Sequence, residues 1–300
     1  MNAVQASAVG KRYGRTWALR DCTLAIPSGR VVALVGPNGA GKTTLLNLAV
    51  GLTTPTTGGI AVLGNVAPGS LLALDRIAFV AQDAPLYANL SVADTLRVVA
   101  KLSNRWDEGS ARRRLADLDI PLRRRVGKLS GGQHAQVALA VALARQPELL
   151  ILDEPVARLD PLARHDFMAA LMAAVADEGL SVLLSSHVVA ELERVCDYLV
   201  VLSRGRVQVA GDIDDLLGSH RILTGPAAEL NAAVAQHDVV SVRSAERQAR
   251  VLVRITRPVA TRAAWRVDKT NLEELVLSYL RAPQASALPG PIDDRPAVLA

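Results

Sequence analysis

A glycine-rich segment with a single lysine has the composition and spacing of a loop that binds phosphate groups. It reads Gly36-Pro37-Asn38-Gly39-Ala40-Gly41-Lys42-Thr43-Thr44. Its glycines allow consecutive backbone N–H groups to face one anion, and the helix predicted to follow directs its positive end toward the same point. Lys42 is then placed to reach the β- and γ-phosphates of a nucleotide, and the Thr43 hydroxyl is placed to coordinate Mg²⁺.

Two adjacent acidic residues, Asp153 and Glu154, follow the apolar run 149–152. Carboxylates are seldom fully buried without a partner or a metal, so an acid pair here indicates either a solvated strand end or a functional site. The phosphate-binding segment favours the functional interpretation. We expect Asp153 to hold Mg²⁺, directly or through water, and Glu154 to polarise the water that attacks the phosphate.

Short apolar runs alternate with helical or loop sequence, which predicts an α/β fold with a parallel sheet buried on both faces. The runs lie at 31–35, 149–152, 182–184 and 199–202. The first run leads into the phosphate-binding segment and the second into the acid pair, so we expect their strands to be neighbours in the sheet. Arg204 and Gly205 predict the turn of a hairpin.

Two regions depart from this alternation. Residues 83–147 read as successive helices and predict an inserted helical lobe in a main domain that spans residues 1–219. A small α/β appendage is predicted over residues 220–281. Residues 282–300 are predicted to form a mobile tail, because they contain few side chains that could pack in a core. The elements expected in the appendage are strands at 239–243 and 251–256 and an amphipathic helix at 272–280.

Composition excludes several classes of protein. Half of the 300 residues are hydrophobic and 21% are charged, which is typical of a globular chain. A net charge of +5 does not indicate a nucleic-acid binder. Cys22 and Cys196 are too few for a disulfide framework and fit a reducing compartment. Proline and glycine interrupt the uncharged stretch 43–74, and no signal or acylation motif is found, so we expect a cytoplasmic protein.

A third motif lies between the phosphate-binding segment and the acid pair. It reads Leu129-Ser130-Gly131-Gly132-Gln133, in which Ser130 is predicted to cap a helix whose first turn exposes N–H groups. With this signature in place, residues 3–218 resemble the nucleotide-binding subunit of ABC transporters. The resemblance implies a P-loop NTPase fold with a RecA-like core, an N-terminal antiparallel β region, an inserted α-helical subdomain and a small C-terminal α/β appendage.

The resemblance also implies a mechanism. In this family two subunits enclose two ATP molecules with Mg²⁺, and the signature of one subunit contacts the γ-phosphate held by the other, so we expect a homodimer or heterodimer that hydrolyses ATP. Gln82 matches the glutamine that senses Mg²⁺ and the attacking water. His187 matches the histidine that contacts the γ-phosphate and the catalytic glutamate. Tyr13 matches the aromatic residue that stacks on adenine, with Trp17 close enough to compete.

Two positions depart from the family pattern. Asp160 belongs to a segment, 155–161, that matches the D-loop at the subunit seam, but Arg158 stands where a small residue is usual. Its bulk and charge are expected to weaken closure or to add a phosphate contact. His134 stands where a basic residue is common and predicts a slight pH dependence of the nucleotide response near neutrality. Neither departure removes a reactive group, so hydrolysis is still expected.

The helix at 272–280 resembles the tail of subunits that serve drug, antibiotic, polysaccharide or lipid exporters. Sugar importers usually carry an all-β regulatory region, whereas residues 220–300 do not read as a string of regular strands. We therefore expect export through a separate membrane permease that docks on residues 82–102, with the ATPase on the cytoplasmic face of the plasma membrane.

Three alternatives are open: an importer subunit, a soluble ABC ATPase acting on ribosomes or nucleic acid, and a nucleotide-responsive regulator without useful hydrolysis. Arginine triplets at 112–114 and 123–125 favour the second, but acidic residues lie among them and no aromatic platform accompanies them. Direct contact with nucleic acid is therefore not expected. Glu154 and His187 argue against the third.

Overall fold

The computed structural model describes residues 1–189, 192–255 and 264–289 of the chain. Contacts between residues divide it into two compact units. The first comprises Met1–Tyr198 and Leu202–Val207, and the second comprises Leu199–Val201 and the chain from Gln208 onward. The division falls ahead of the boundary at residue 219 predicted from the sequence, because Gln208 and Val209 contact residues between 279 and 287.

Two sheets follow from the first part of the chain, with strands numbered in chain order. β1 (Asn2–Tyr13), β2 (Thr16–Pro27) and β4 (Thr57–Val62) form an antiparallel sheet in the order β2-β1-β4. The larger sheet has the order β5-β6-β7-β3-β8-β9. Its strands are β3 (Val31–Val35), β5 (Ile77–Val80), β6 (Leu149–Asp153), β7 (Ser181–Ser186), β8 (Tyr198–Ser203) and β9 (Arg206–Asp212).

The larger sheet brings the two predicted chemical segments to one edge. β3, β6, β7 and β8 are buried along their whole length, as expected of strands covered on both faces. β7 pairs in parallel with β3 on one side and with β6 on the other. In this register Val35 pairs with Ser186 and Asp153 pairs with Ser185. The phosphate-binding segment and the acid pair therefore leave the same edge of the sheet. The expectation that their strands are neighbours is wrong, because β7 lies between β3 and β6.

Among the described residues, six α-helices accompany these sheets: α1 (Lys42–Ala49), α2 (Leu71–Arg76), α3 (Val92–Leu102), α4 (Glu108–Asp117), α5 (Gly131–Ala144) and α6 (Pro161–Glu178). α3, α4 and α5 lie in the predicted helical lobe, and they share a core that includes Leu96, Leu115 and Val137. No strand is found in this stretch, all of which the structure describes. Among the described residues, no helix has both the length and the apolar character needed to cross a membrane.

The second unit contains a four-stranded antiparallel sheet in the order β11-β12-β10-β13. The elements are α7 (Ile213–Gly218), β10 (His220–Pro226), α8 (Leu230–Val234), β11 (Asp238–Ser244), β12 (Gln248–Arg254), β13 (Arg266–Lys269) and α9 (Leu272–Arg281). Leu223, Val251 and Val253 form a core on one face, and side chains of α8 pack against it. This sheet with its helices is the predicted α/β appendage in outline, with more strands than the sequence indicates.

The expectation that residues 220–300 contain no string of strands is wrong for this sheet. β11, β12 and α9 correspond to predicted elements, although position 256 of the second predicted strand lies outside the described residues. β10 and β13 were missed. β10 ends in Gly225-Pro226, and β13 has only four residues, three of them charged, so neither shows the apolar run of a typical strand.

A buried glutamine, Gln208 of β9, holds the segment that follows α9. Its side-chain Nε2 lies 2.7 Å from the carbonyl oxygen of Tyr279, 2.8 Å from that of Ala282 and 2.9 Å from that of Ala285. Ala287 then pairs with Val209 as a parallel bridge. Ala282, Ala285 and Ala287 are thus bound to an edge strand, which composition could not predict because they contribute backbone groups. The remainder of the predicted tail, 290–300, lies outside the described residues.

A second buried polar pair lies close to this point. The His220 Nε2 atom is 2.8 Å from the Tyr279 hydroxyl, and its Nδ1 atom is 2.6 Å from the carbonyl oxygen of Leu216. Burial lowers the pKa of His220 and raises the pKa of Tyr279 to about 12. The ring is therefore neutral at pH 7, with Nδ1 donating to the carbonyl and Nε2 accepting from the hydroxyl.

We predict that Gln208→Leu destabilises the second unit by about 1–3 kcal/mol, because three carbonyl oxygens lose their shared donor. The measurement is urea unfolding combined with limited proteolysis of residues 282–289. Gln236→Leu serves as the control, since Gln236 is exposed. Equal protease resistance in the Gln208 variant and the wild type would contradict the assigned role.

Candidate nucleotide site

The phosphate-binding loop runs from the end of β3 to the start of α1, as predicted. Gly41 precedes α1 with a φ of 104°, a conformation that favours glycine. A Cβ atom at Gly41 would also lie 2.7 Å from the carbonyl oxygen of Ala18. At Gly36 an added Cβ would overlap the carbonyl oxygen of Leu202. The loop therefore requires glycine at both positions, for conformation at the first and for space at both.

Lys42, Glu154 and His187 form a chain of charged and polar contacts at this loop. Lys42 is 5% exposed, and its Nζ atom lies 2.8 Å from the carbonyl oxygen of Gly36 and 3.2 Å from Oε1 of Glu154. The other carboxylate oxygen of Glu154, Oε2, lies 2.9 Å from Nδ1 of His187. Three residues predicted from separate motifs are thus in direct contact.

Ser185 connects the two acids and was not predicted. Its hydroxyl donates to Oδ1 of Asp153 at 2.7 Å and accepts from the backbone N–H of Glu154 at 2.8 Å. Glu154 has a φ of 48°, which is uncommon for a residue with a side chain. The hydrogen bond from its N–H thus supports an unfavourable backbone conformation. The only sequence signal was a polar Ser-Ser pair at the end of an otherwise apolar strand.

The oxygen donors expected to hold a metal are of the type that Mg²⁺ prefers: the hydroxyl of Thr43, the side-chain oxygen of Gln82 and the carboxylate of Asp153. Asp153 is only 2% exposed, and Ser185 engages its Oδ1. Oδ2 of Asp153 makes no hydrogen bond or ion pair with the described residues, so this oxygen is available to a cation or to its bound water. Thr43 and Gln82 are exposed. The chemistry of these donors fits Mg²⁺.

The signature forms the start of α5. Ser130 caps the helix by accepting from the N–H of Gln133, and the Gln133 side chain accepts from the N–H of Ser130. Ser130 and Gly131 are exposed. No hydrogen bond or ion pair joins this motif to the phosphate-binding loop among the described residues. The start of the helix is available to bind an anion from outside the chain, because its first N–H groups and the positive end of its dipole lie at this exposed end.

The segment after Glu154 contacts the loop that contains Gln82. Arg158 Nη1 lies 2.8 Å from Oδ1 of Asp83, with side chains that are 76% and 69% exposed, respectively. Asp160 caps α6 by accepting from the N–H of Ala163 at 3.0 Å. Arg158, which departs from the family pattern, thus has a partner within its own chain.

Three further residues singled out in the sequence, Tyr13, Trp17 and His134, differ in their surroundings. Tyr13 is 50% exposed, and the ammonium of Lys11 lies 5.1 Å from the centre of its ring. Trp17 is partly buried, with the guanidinium of Arg12 5.6 Å from its ring centre. Tyr13 therefore offers the more accessible aromatic face. Burial lowers the pKa of His134, which moves its titration away from the neutral range expected from the sequence.

Comparisons with known proteins identify the family of the chain. The model of the ABC transporter family matches residues 19–157. The Nod factor export ATP-binding protein I of Rhizobium leguminosarum bv. viciae is 38% identical over 214 residues, which cover 68% of this chain and 67% of that protein. The Fe(3+) ions import ATP-binding protein FbpC of Pseudomonas fluorescens is 35% identical over 274 residues, covering 85% of this chain and 77% of that protein.

Solved structures of ABC ATP-binding proteins are also similar to this chain. The ATP binding subunit of an ABC transporter has a TM-score of 0.64 and 31% identity, over 71% of this chain and 91% of that one. A dimeric ATP-binding cassette in a post-hydrolysis state, bound to ADP and Pi, has a TM-score of 0.61 and 25% identity, over 70% of this chain and 98% of that one. With the motifs in their expected order and the reactive side chains in contact, the chain belongs to the ATP-binding subunits of the ABC transporter family.

Proposed function

We propose that this ABC ATPase subunit hydrolyses ATP with Glu154 as the residue that polarises water, and that it drives export through a separate permease. The observation that supports this most directly is the position of the Glu154 carboxylate between Lys42 and His187. One oxygen balances the lysine charge, and the other is oriented by the imidazole. A carboxylate held in this way beside a phosphate-binding loop is suited to orient a water molecule.

ATP binding changes the partners of Lys42 in this mechanism. The β- and γ-phosphates compete with Glu154 for the ammonium group, because both are anions within reach of the same buried cation. Once Lys42 contacts phosphate, the Glu154 carboxylate is released to accept a hydrogen bond from water. His187 then contacts both Glu154 and the γ-phosphate. Binding of ATP thereby prepares the group that assists its cleavage.

Asp153, Thr43 and Gln82 would hold Mg²⁺, which when bound neutralises charge on the phosphates. Ser185 acts as a positioning residue in this arrangement. It fixes one carboxylate oxygen of Asp153 and the backbone of Glu154 through a single hydroxyl. The residues that would hold the metal and orient the water are therefore kept in one geometry by β7.

The site is completed by a second subunit. Ser130, Gly131, Gly132 and Gln133 would contact the γ-phosphate held by the partner's loop, with Asp160 at the seam and Tyr13 against adenine. The support is the exposed, capped start of α5, whose N–H groups bind no anionic side chain among the residues that the structure describes. The partner is a second copy or a related subunit. Either arrangement makes hydrolysis depend on dimer closure.

An apolar cleft in the first unit is suited to receive the permease. It has a volume of about 380 Å³, and its lining includes Leu52, Phe79, Leu86 and Val99. Ala81 and Ala84, on either side of the Gln82–Asp83 pair, also line it. A permease segment seated here would lie next to the residue proposed to sense Mg²⁺, so that docking and hydrolysis are coupled.

Export is favoured over import by the relatives named for Nod factor export. The relative named for Fe(3+) import supports the alternative that the chain serves an importer. The chain would act on the cytoplasmic face of the membrane, bound to its permease. Reconstitution in liposomes with the membrane protein encoded beside it tests the proposal: we expect ATP turnover that the permease stimulates, and its absence with every adjacent membrane protein would refute it.

We predict that Glu154→Gln forms a stable dimer in ATP, because the neutral amide cannot assist hydrolysis and the nucleotides stay bound. Size-exclusion chromatography with and without ATP measures this. The control, Lys42→Ala combined with Glu154→Gln, should stay monomeric because the phosphates lose their cation. A wild-type chain that is permanently dimeric and turns over no ATP would instead support the regulator.

We predict that Ser185→Ala lowers ATP turnover by about tenfold to hundredfold, because small displacements of reacting groups are costly. Unfolding by urea should show a loss of about 1–3 kcal/mol. Ser181→Ala is the matched control, since the Ser181 hydroxyl accepts from the N–H of Gly29 at the opposite end of β7. It should lose similar stability and keep its turnover. Equal turnover losses in both variants would exclude a positioning role for Ser185.

We predict that Leu52→Asp reduces permease stimulation by at least about tenfold, because it places a charge in the apolar cleft. Leu52 is 69% exposed, so the substitution should leave folding and basal ATP turnover intact. The measurement compares turnover with and without permease in liposomes. Val242→Asp, at an exposed apolar residue of the second unit, is the control. Undiminished stimulation in Leu52→Asp would place the permease elsewhere.

A further inference from the structure

The second unit contains a cavity of about 610 Å³ that the nucleotide site does not use. It lies where β10 ends and where β12 and β13 begin, and its lining includes Thr224, Arg247, Arg250, Trp265 and Arg266. Sites for small molecules usually have volumes of about 300–1,000 Å³ and carry a few convergent polar groups. The cavity meets both conditions.

Strand register places two of the arginines on one face of the sheet. Arg250 of β12 is paired with Thr224 of β10, and Thr224 is paired with Arg266 of β13. Residues directly opposite each other in antiparallel strands share a face, so Thr224 lies between the two guanidinium-bearing positions. Arg247, in the turn before β12, adds a third arginine at the end of this row.

These arginines keep unused hydrogen-bond donors. Arg266 contacts Asp268 through Nε alone, at 2.8 Å. Arg250 uses Nε and Nη2 to bind Glu274, which leaves Nη1. The Arg247 side chain makes no hydrogen bond or ion pair with the part of the chain that the structure describes. The two acids offset two of the three charges, so the cavity retains one uncompensated positive charge and several N–H groups.

Two residues of the cavity lining each carry a buried polar atom that lacks a partner. The hydroxyl of Thr224 and the indole N–H of Trp265 form no hydrogen bond with the described residues. Trp265 is 6% exposed, and its ring lies against Gly225 so closely that a Cβ atom there would overlap it. Both atoms have almost no accessible surface, so the donors open to a ligand in the cavity are those of the arginines.

We propose that this cavity binds a small ligand through a phosphate group. A phosphate presents several acceptor oxygens in different directions, which matches guanidinium groups that approach from different strands. The ligand would be a free phosphate ester or the headgroup of a lipid, because both offer the same chemistry. The inference rests on the second unit alone and holds whether or not the chain drives an exporter.

The experiment uses the full chain labelled with 5-fluorotryptophan and titrated with inorganic pyrophosphate, followed by ¹⁹F NMR. The chain has three tryptophans, Trp17, Trp106 and Trp265, and single Trp→Phe substitutions assign their resonances. We expect the Trp265 resonance to shift saturably. The doubly substituted variant R247Q/R266Q should raise the dissociation constant by at least about tenfold.

Two control variants identify the site. Lys42→Ala should keep the Trp265 shift, although it removes the cation of the phosphate-binding loop, which pyrophosphate also suits. Arg281→Gln removes an exposed arginine at the end of α9 that does not line the cavity, and it should change the dissociation constant by less than about twofold. Loss of the Trp265 shift in Lys42→Ala, or an equal loss in Arg281→Gln, would refute the assignment.

Sedimentation with lipid vesicles distinguishes the two sources of phosphate. An anionic lipid headgroup would be identified if the chain binds phosphatidylglycerol vesicles but not phosphatidylcholine vesicles, and if R247Q/R266Q abolishes this binding. A pyrophosphate shift without vesicle binding would identify a soluble ester. The proposal fails if pyrophosphate leaves Trp265 unchanged and vesicle binding does not depend on the arginines. It also fails if R247Q/R266Q shows the Trp265 shift with an unchanged dissociation constant for pyrophosphate. Loss of binding to a single-stranded oligonucleotide alone in that variant would likewise refute it.

Discussion

The nucleotide site depends on the need to balance one buried positive charge. Lys42 is almost fully enclosed, and an ammonium group without a negative partner at that depth would cost several kcal/mol. In the chain described here the partner is Glu154. The carboxylate proposed to assist hydrolysis is therefore the counterion of the lysine proposed to bind the phosphates. A single ion pair thus links occupation of the loop to the availability of the reactive oxygen.

The sheet supplies the geometry that this ion pair requires. β7 lies between the strand that leads into Lys42 and the strand that ends in Asp153, and its own end carries Ser185 and leads to His187. A shift of one residue in the register of β7 would turn the Ser185 hydroxyl to the other face of the sheet. The fully buried strands therefore act as the frame of the chemistry, because their apolar packing fixes which polar groups meet.

Much of the nucleotide site could be predicted from the sequence. Gly41, Lys42, Asp153, Glu154 and His187 belong to motifs whose residue types are dictated by phosphate, metal and water chemistry. Their contacts could be anticipated because each motif has a defined place on the strand–loop–helix pattern.

The features that escaped prediction depend on distant parts of the chain meeting in space. Ser185 reaches Asp153 only through strand register, and the pairing of Arg158 with Asp83 joins two exposed loops. β10 ends in Gly-Pro, which has a low strand propensity, and the strand is stabilised by its pairing with β13. The segment 282–289 is bound through backbone carbonyl groups, which every residue possesses, so no residue type in the sequence indicates this contact.

Deamidation of Gln208 would reverse the interaction that this side chain makes in the second unit. Its side-chain nitrogen faces three carbonyl oxygens, all of which are hydrogen-bond acceptors. Deamidation would replace that nitrogen by a carboxylate oxygen, which repels such oxygens when ionised. One hydrolysed amide would thus convert the attachment of the chain end into a repulsion without altering any other residue.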